Sequence, residues 1–362
     1  MKKHIMKFSG FLLGAFLLLP CALAEKNVYD AKFRNLPDDY TKLLQTEPES
    51  WDFRFRPYGA SEAAFLVSDP TLQRDVQSGK NIEKQRPTSF NFSCNEKGFS
   101  ILVFSAEPSL GEAMGKGAAV PGDSLELFFC PGDADQSKIE PYYQFIIDQI
   151  KGELTDYPWQ IEDRNFHRIL GYVQNETRII ANGYVTKIFI PWELLYDRLP
   201  FSDKKDNFWR LSVIRWASGG GQTWGGFVHE ANRAGYIRWP DFTQEQKFAI
   251  YETVLNKAWQ KYQSLLVKVN PALVPDMKEP YRHPDNAPRS YMNLQEDRIF
   301  VEEFLKPMIE ERNAMGKNIA TFKELPAAEK EELYSHVDKL MNFNYDVDEA
   351  CASYLKAKLF KR

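Results

Sequence analysis

Apolar and polar positions alternate in short runs over the first two thirds of the chain, and helical spacing replaces that alternation in the last third. The plainest alternation lies in Ser124–Cys130 and Tyr142–Asp148, on either side of an acidic loop marked by glycine and proline. Leu125, Leu127 and Phe129 share one face of the first run, and Ser124, Glu126 and Phe128 the other. In the second run Tyr143, Phe145 and Ile147 oppose Tyr142, Gln144, Ile146 and Asp148. Such a pair buries one face and presents polar groups and aromatics on the other, so function is expected on the outer face.

The same period predicts strands at Ser89–Cys94 and Phe99–Ser105, a hairpin turning at Asn95-Glu96-Lys97-Gly98. Further strands are expected at Arg178–Ala181, Tyr184–Ile190 and Phe208–Arg215, with Asn182-Gly183 as the turn between the first two. Pro191 suits the first position of a short helical turn through Leu195. Four glycines (Gly111, Gly115, Gly117, Gly122) mark a loop before Asp123. Short strands spread over 51–240 predict a mainly β fold, a sandwich of two antiparallel sheets, preceded by a polar lead-in at 25–50. From Asp241 the texture changes. Thr243 and Gln246 have capping-box spacing, and Phe248, Tyr251, Leu255, Ala258, Tyr262 and Leu265 follow at helical intervals. A proline-rich connector occupies 270–290, and helices are expected at Leu294–Glu311, Pro326–Met341 and Val347–Phe360. Residues 241–362 therefore read as a C-terminal helical extension.

Composition adds an address. Lys2, Lys3 and Lys7 precede the apolar run Phe8–Pro20, and Ala22-Leu23-Ala24 fits a signal-peptidase site, which predicts a signal peptide at 1–24 cleaved after Ala24. The mature protein is then exported to the periplasm, cell surface or outside. Cys21 raises a lipoprotein alternative, for which Pro20 is a poor fit. No later stretch is long and apolar enough for a transmembrane span. Losing the three lysines takes the formal charge from −4 to −7, a balance that argues against nucleic acid and anionic membrane as partners. The mature cysteines are Cys94, Cys130 and Cys351. Cys94 and Cys130 either pair across a sheet or stand as small buried hydrophobes.

The ordered runs GDSLELFFCPGD, YYQFIID, NGYVTKIFIPWELL, FWRLSVIRW and TWGGFVHEANRAGYIRW resemble the family 9 carbohydrate-binding modules and their DOMON-like relatives, over roughly Ala60 to Trp239. The resemblance implies a β-sandwich with a sugar on its concave face, sometimes with structural calcium nearby. It places Glu126 at the family's acidic position, where a carboxylate accepts hydrogen bonds from adjacent hydroxyls. The family's upstream tryptophan is replaced by Val120, its arginine after Gln144-Phe145 by Ile146, and its second tryptophan falls near Phe227-Val228. The two-tryptophan clamp is not reproduced.

Sugar rings offer apolar C–H faces and hydroxyl rims, so aromatics and planar polar groups are the candidate contacts. Trp224, flanked by Gly219–Gly221 and Gly225-Gly226, reads as a loop-tip ring, and Trp159 follows the second strand of the opening pair. Trp192 and Trp209 sit in apolar patterns and are expected in the core. Arg215 is either a forked donor to a ligand or half of an ion pair at a sheet end. Gln144, Asp148 and His229 complete the carbohydrate-binding candidates. Asp123, Asp133 and Asp135 are candidate calcium ligands, although the EF-hand pattern is incomplete. No zinc-hydrolase, serine-hydrolase or phosphate-loop motif is present, and haem would need axial ligands that neither Met114 nor the histidines obviously supply. The sequence thus points to non-catalytic binding of a glycan in its breakdown or capture. The alternative is a protein-interaction module, docking through the C-terminal helices, whose sandwich has lost its sugar site.

Overall fold

Alternation sorts the strands into two sheets whose apolar faces meet. The computed structural model describes residues 28–36, 38, 40, 88–107, 124–131, 142–159, 173–180, 183–201, 208–217, 220–224, 235–269 and 297–360, with strand backbone at 53–54 and 56–57. In chain order the strands are β1 (Val28–Asp30), β2 (Lys32–Phe33), β3 (Phe53–Arg54), β4 (Arg56–Pro57), β5 (Thr88–Cys94), β6 (Gly98–Ala106) and β7 (Ser124–Cys130). They continue as β8 (Tyr142–Asp148), β9 (Leu154–Trp159), β10 (Gln174–Ile180), β11 (Gly183–Pro191), β12 (Phe208–Ala217), β13 (Gly220–Trp224) and β14 (Gly235–Arg238). The larger sheet runs β1-β14-β12-β7-β8-β9, with β13 and β4 beside β12; the smaller runs β10-β11-β6-β5-β2, with β3 on β5.

Most pairs are antiparallel, as expected of a sandwich. The lead-in departs from that: β1 adds parallel to β14 in the larger sheet and β2 parallel to β5 in the smaller. One short segment thereby stitches both sheets. Between them Phe90, Phe92, Phe99, Leu127, Phe129, Leu211 and Val213 form a buried core. Phe99 anchors its aromatic part, 5.4 Å from Trp192, 5.9 Å from Trp209 and 5.5 Å from Trp239. Trp192 and Trp209 are core residues, as their pattern predicts. Burial of each such side chain contributes about 1.5–3 kcal/mol. Gln149, in the turn after β8, donates through Nε2 to Thr186 Oγ1 of the smaller sheet at 2.8 Å, which gives both buried atoms a partner.

Gly183 opens β11 opposite Ile180; Ala181 and Asn182 lie outside the described residues. The need for glycine here is close approach, since a Cβ would stand 2.2 Å from the Ser105 carbonyl oxygen. Cys94 belongs to the inter-sheet core and Cys130 to a cluster on the far side of the larger sheet. A sheet separates them, so no disulfide joins them, and burial pushes the Cys94 thiol well up.

The helices are α1 (Gln244–Val269), α2 (Arg298–Phe300), α3 (Lys306–Ala320), α4 (Ala327–Ser335), α5 (Val337–Met341) and α6 (Phe343–Phe360). The capping box forms: Thr243 N–H donates to Gln246 Oε1 at 3.0 Å and Gln246 N–H to Thr243 Oγ1 at 3.2 Å. Asp297 caps α2 by accepting the amides of Ile299 and Phe300, so this helix begins later than the pattern suggests. A π turn, Val301–Leu305, joins α2 to α3. Pro307 follows it and lacks the N–H that a regular ladder would need there. Gly316 does not end α3; a Cβ there would stand 2.4 Å from Trp259, so glycine lets that ring lie against the helix. The connector 270–290 lies outside the described residues.

The extension is not detached from the sandwich. Its apolar interior, including Ile250, Val254, Leu255 and Leu265, runs into the same core as Trp192, Leu194 and Leu195. Phe201 touches Phe242 at 5.0 Å and Tyr251 at 5.6 Å. Tyr334 donates to the Tyr196 carbonyl at 2.8 Å, and Asn342 Nδ2 donates to the Tyr196 hydroxyl at 2.9 Å. Among the described residues, no helix is long and apolar enough to cross a membrane.

Candidate functional site

The outer face of the larger sheet is built by strand parity. Register aligns Ile214 of β12, Glu126 of β7, Ile146 of β8 and Thr155 of β9 in one row. The next row is Ser212, Phe128, Gln144 and Tyr157. On the other side, Trp216 stands opposite Ser124, and Ser124 opposite Asp148. Phe128, Tyr142, Cys130 and Ile214 form a small apolar cluster on this face, with Trp216 against it. Phe128 and Tyr142 have ring centroids 6.0 Å apart.

Glu126 is the half-buried acid in the middle. Its row neighbours, Ile214 and Ile146, are apolar, and burial pushes its pKa up, while a hydrogen bond from the Trp216 side chain pulls the other way. The indole N–H can only donate, so the carboxylate is fixed beside a half-buried ring. Trp216 pairs with Gly221 of β13, a cross-strand neighbour without a side chain. Arg210 lies buried on the same face, opposite Cys130 on one side and Tyr236 on the other.

The sequence candidates divide. Glu126 and Gln144 stand together on this face, with Ile146 and Asp148 further along β8. Asp148 also serves the turn after β8, accepting the amides of Ile150 and Lys151, each at 2.9 Å. Trp159 pairs with Tyr142 at the end of β9, and its side chain lies outside the described residues. Arg215 and Trp224 do not join them. Arg215 has the parity of Val213 and faces the inter-sheet interior, 3.7 Å from the Glu107 carboxylate and donating to Thr88 Oγ1 at 3.1 Å. Trp224 pairs with Val213, is 4 % exposed, and packs on Phe90 with centroids 5.0 Å apart. It is a strand residue of the core rather than a loop tip, because Gly220 and Gly221 lie in β13 and pair with β12. His229, Asp123, Asp133, Asp135 and Val120 lie outside the described residues. Arg210 and Trp216 were not among the sequence candidates, although the alternation of β12 assigns both to the face of Ser212 and Ile214.

Gln144, Arg210 and Phe128 are buried on this face, at 6%, 2% and 4% exposure, while Glu126 and Trp216 are half-buried, so among the described residues these two are the acid and the ring a polyhydroxylated ligand could reach. No protein-family model matches the chain, and no curated sequence is significantly similar to it. Among solved structures, a Bacteroides uniformis protein described as carbohydrate-binding aligns over 59% of this chain and 100% of its own, at 12% identity and a TM-score of 0.38. A family 9 carbohydrate-binding module from Caldicellulosiruptor kristjanssonii, in complex with cellotriose, aligns over 60% of this chain and 95% of its own, at 11% identity and a TM-score of 0.34. A family 9 module from the same organism, in complex with glucose, covers 44% of this chain and 79% of its own at 13% identity and a TM-score of 0.28. These likenesses are distant. The sandwich assignment stands on the protein's own sheets and core.

Proposed function

We propose that this is an exported, non-catalytic carbohydrate-binding protein that takes its sugar on the outer face of the larger sheet, in glycan capture or breakdown. The observation that carries the reading is Glu126, half-buried between Ile214 and Ile146 and held by Trp216. A pyranose lays an apolar C–H face on a ring and turns adjacent hydroxyls toward a fixed carboxylate, which accepts two bonds at once. Trp216 supplies the ring edge and orients the acceptor. The signal-like segment at 1–24 and the five ordered runs support the same setting.

The test is a glycan array on the mature protein, followed by calorimetry with the best ligand. Glu126→Gln and Trp216→Ala are each expected to weaken binding about tenfold or more, the loss of one charge-assisted bond or one stacked ring. Binding should also weaken as pH falls through the raised Glu126 value, above the usual carboxylate range, and Glu126→Gln should remove that dependence. A folded protein that binds no glycan would overturn the reading. A protein-interaction role has one observation in its favour: Leu359 and Phe360 at the end of α6 are 71% and 81% exposed. A stable partner captured by the wild type and lost on Leu359→Ser/Phe360→Ser would move the assignment there.

A further inference from the structure

The smaller sheet has an outer face of its own, and it holds a cleft of about 440 Å³ that takes no part in the Glu126 site. Register sets Gln174, Phe189 and Ser100 in one row across β10, β11 and β6, with Glu176 and Lys187 in the row beside it. The turn after β5 contributes Lys97, and the segment after β2 contributes Leu36.

This turn is fixed without a ligand. Asn95 Oδ1 accepts the amides of Lys97 at 2.9 Å and Gly98 at 3.2 Å, and Asn95 Nδ2 donates to Asn35 Oδ1 at 2.9 Å. The Asn95 carbonyl accepts the Trp192 indole N–H at 2.8 Å, which ties the turn to the core. The opposite wall is a strand paired to β11 along its whole length. A site so held loses little entropy on binding.

Its chemistry is cationic, amide-lined and floored by one ring. Among the described residues, no carboxylate pairs with Lys97 or Lys187. The acid in the cleft, Glu176, is held by Arg178 Nε at 2.8 Å. Lys187 Nζ sits 5.8 Å from the centre of the Tyr40 ring, at the margin of a cation–π contact. Two ammonium groups attract carboxylate, Gln174 and Ser100 exchange hydrogen bonds with hydroxyls, and Phe189 is half-buried with a face for ring C–H groups. A neutral sugar would leave both ammonium groups unused; a bare inorganic anion would leave the amide, the hydroxyl and the ring unused. The volume falls within the usual range of small-ligand sites, roughly 300–1,000 Å³. We infer that this cleft is a second carbohydrate site, selective for an oligosaccharide that carries carboxylates, such as a run of uronic acids.

The probe is trigalacturonic acid, titrated calorimetrically into the full mature protein at low and at high salt, with cellotriose as the neutral control. Binding of the acidic trisaccharide is expected to weaken with salt and to fall about tenfold or more in Lys97→Ala/Lys187→Ala. Glu126→Gln should leave it unchanged. Circular dichroism of the double variant checks that the fold is kept, and Phe189→Ser gives an independent loss that removes no charge. The inference is overturned if trigalacturonate does not bind, if the double variant binds it as wild type does, or if equimolar sulfate displaces it fully. Loss on Glu126→Gln alone would assign the acidic sugar to the other face. Failure of the array to find a neutral ligand would count against the first site and leave this one standing.

Discussion

Arg215→Met tests the interior of the sandwich and the placement of its most buried charge together. Methionine keeps much of the side chain's volume and removes the guanidinium. That group is 0% exposed, and its partner Glu107, 3.7 Å away, is 1% exposed. Breaking a buried pair from one side strands the other charge, which costs about 3–5 kcal/mol. The lost bond to Thr88 Oγ1 falls within that range. Set against a total stability of about 5–15 kcal/mol for a native protein, the change takes a large fraction. A solvated ion pair at a sheet end would cost only about 0–1 kcal/mol. Urea unfolding followed by far-UV circular dichroism and tryptophan fluorescence separates the two cases. The double variant Arg215→Met/Glu107→Gln should recover part of the loss, since both charges of this pair are then removed. If Arg215→Met unfolds within about 1 kcal/mol of the wild type, the inward placement is wrong. A variant that kept full stability and lost glycan binding would return Arg215 to the outer face.

Two further outcomes follow from the helical bundle. Tyr334→Phe keeps the stacking on Tyr251, centroids 3.8 Å apart, and deletes only the bond to the Tyr196 carbonyl; the melting curve should report a loss of about 1 kcal/mol, and no change would mean the bundle does not dock there. Asp297 is held down to about 2, first by Lys358 and further by the Phe300 amide and Tyr354. Its folded value lies below its ordinary one, so its contribution is present at neutral pH and is lost as pH falls from about 3.8 toward 2. Asp297→Asn should therefore lower stability at pH 7 and flatten the acid-unfolding curve in that window, and an unaltered curve would refute the assignment.

Period-2 alternation made the sandwich legible. β7 and β8 coincide with the runs read from sequence, because each buries one face and the register of buried sheets leaves little freedom. β1 and β2 were not legible: two or three residues cannot show a period, and their pairing is decided by distant strands. The motif singled out Glu126 and parity singled out Gln144, and the register of β7 and β8 puts both on one face. Arg215 and Trp224 misled for opposite reasons. Arg215 shows the parity of the core, but the Glu107 that neutralises it lies across the sandwich at the end of β6. Trp224 is bracketed by glycines that read as loop, yet Gly220 and Gly221 serve as strand residues opposite Ala217 and Trp216. Trp216 is the ring that the structure sets beside Glu126, opposite a β13 neighbour that lacks a side chain.

The helical extension bears on function through where it docks. Its contacts run through Leu194, Leu195, Tyr196, Phe201 and Phe242, together with the 3-10 turn that follows β11. None of these residues belongs to the outer face of either sheet. Phe201 and Phe242 lie edge-to-face, and Phe33, the last residue of β2, meets Phe242 at 5.9 Å. The bundle thus closes the apolar interior near the segment that stitches the sheets, and both outer faces stay clear of those contacts. Without residues 241–362 the Leu194–Tyr196 surface would face water, at about 25 cal/mol per Å² of apolar area. The extension is therefore part of what holds the sandwich, and a partner can use only the surfaces it leaves exposed, such as the end of α6. A ligand on the Glu126 face and a ligand in the Lys97–Lys187 cleft would be bound on opposite sides of one rigid core, with no shared residue through which to compete.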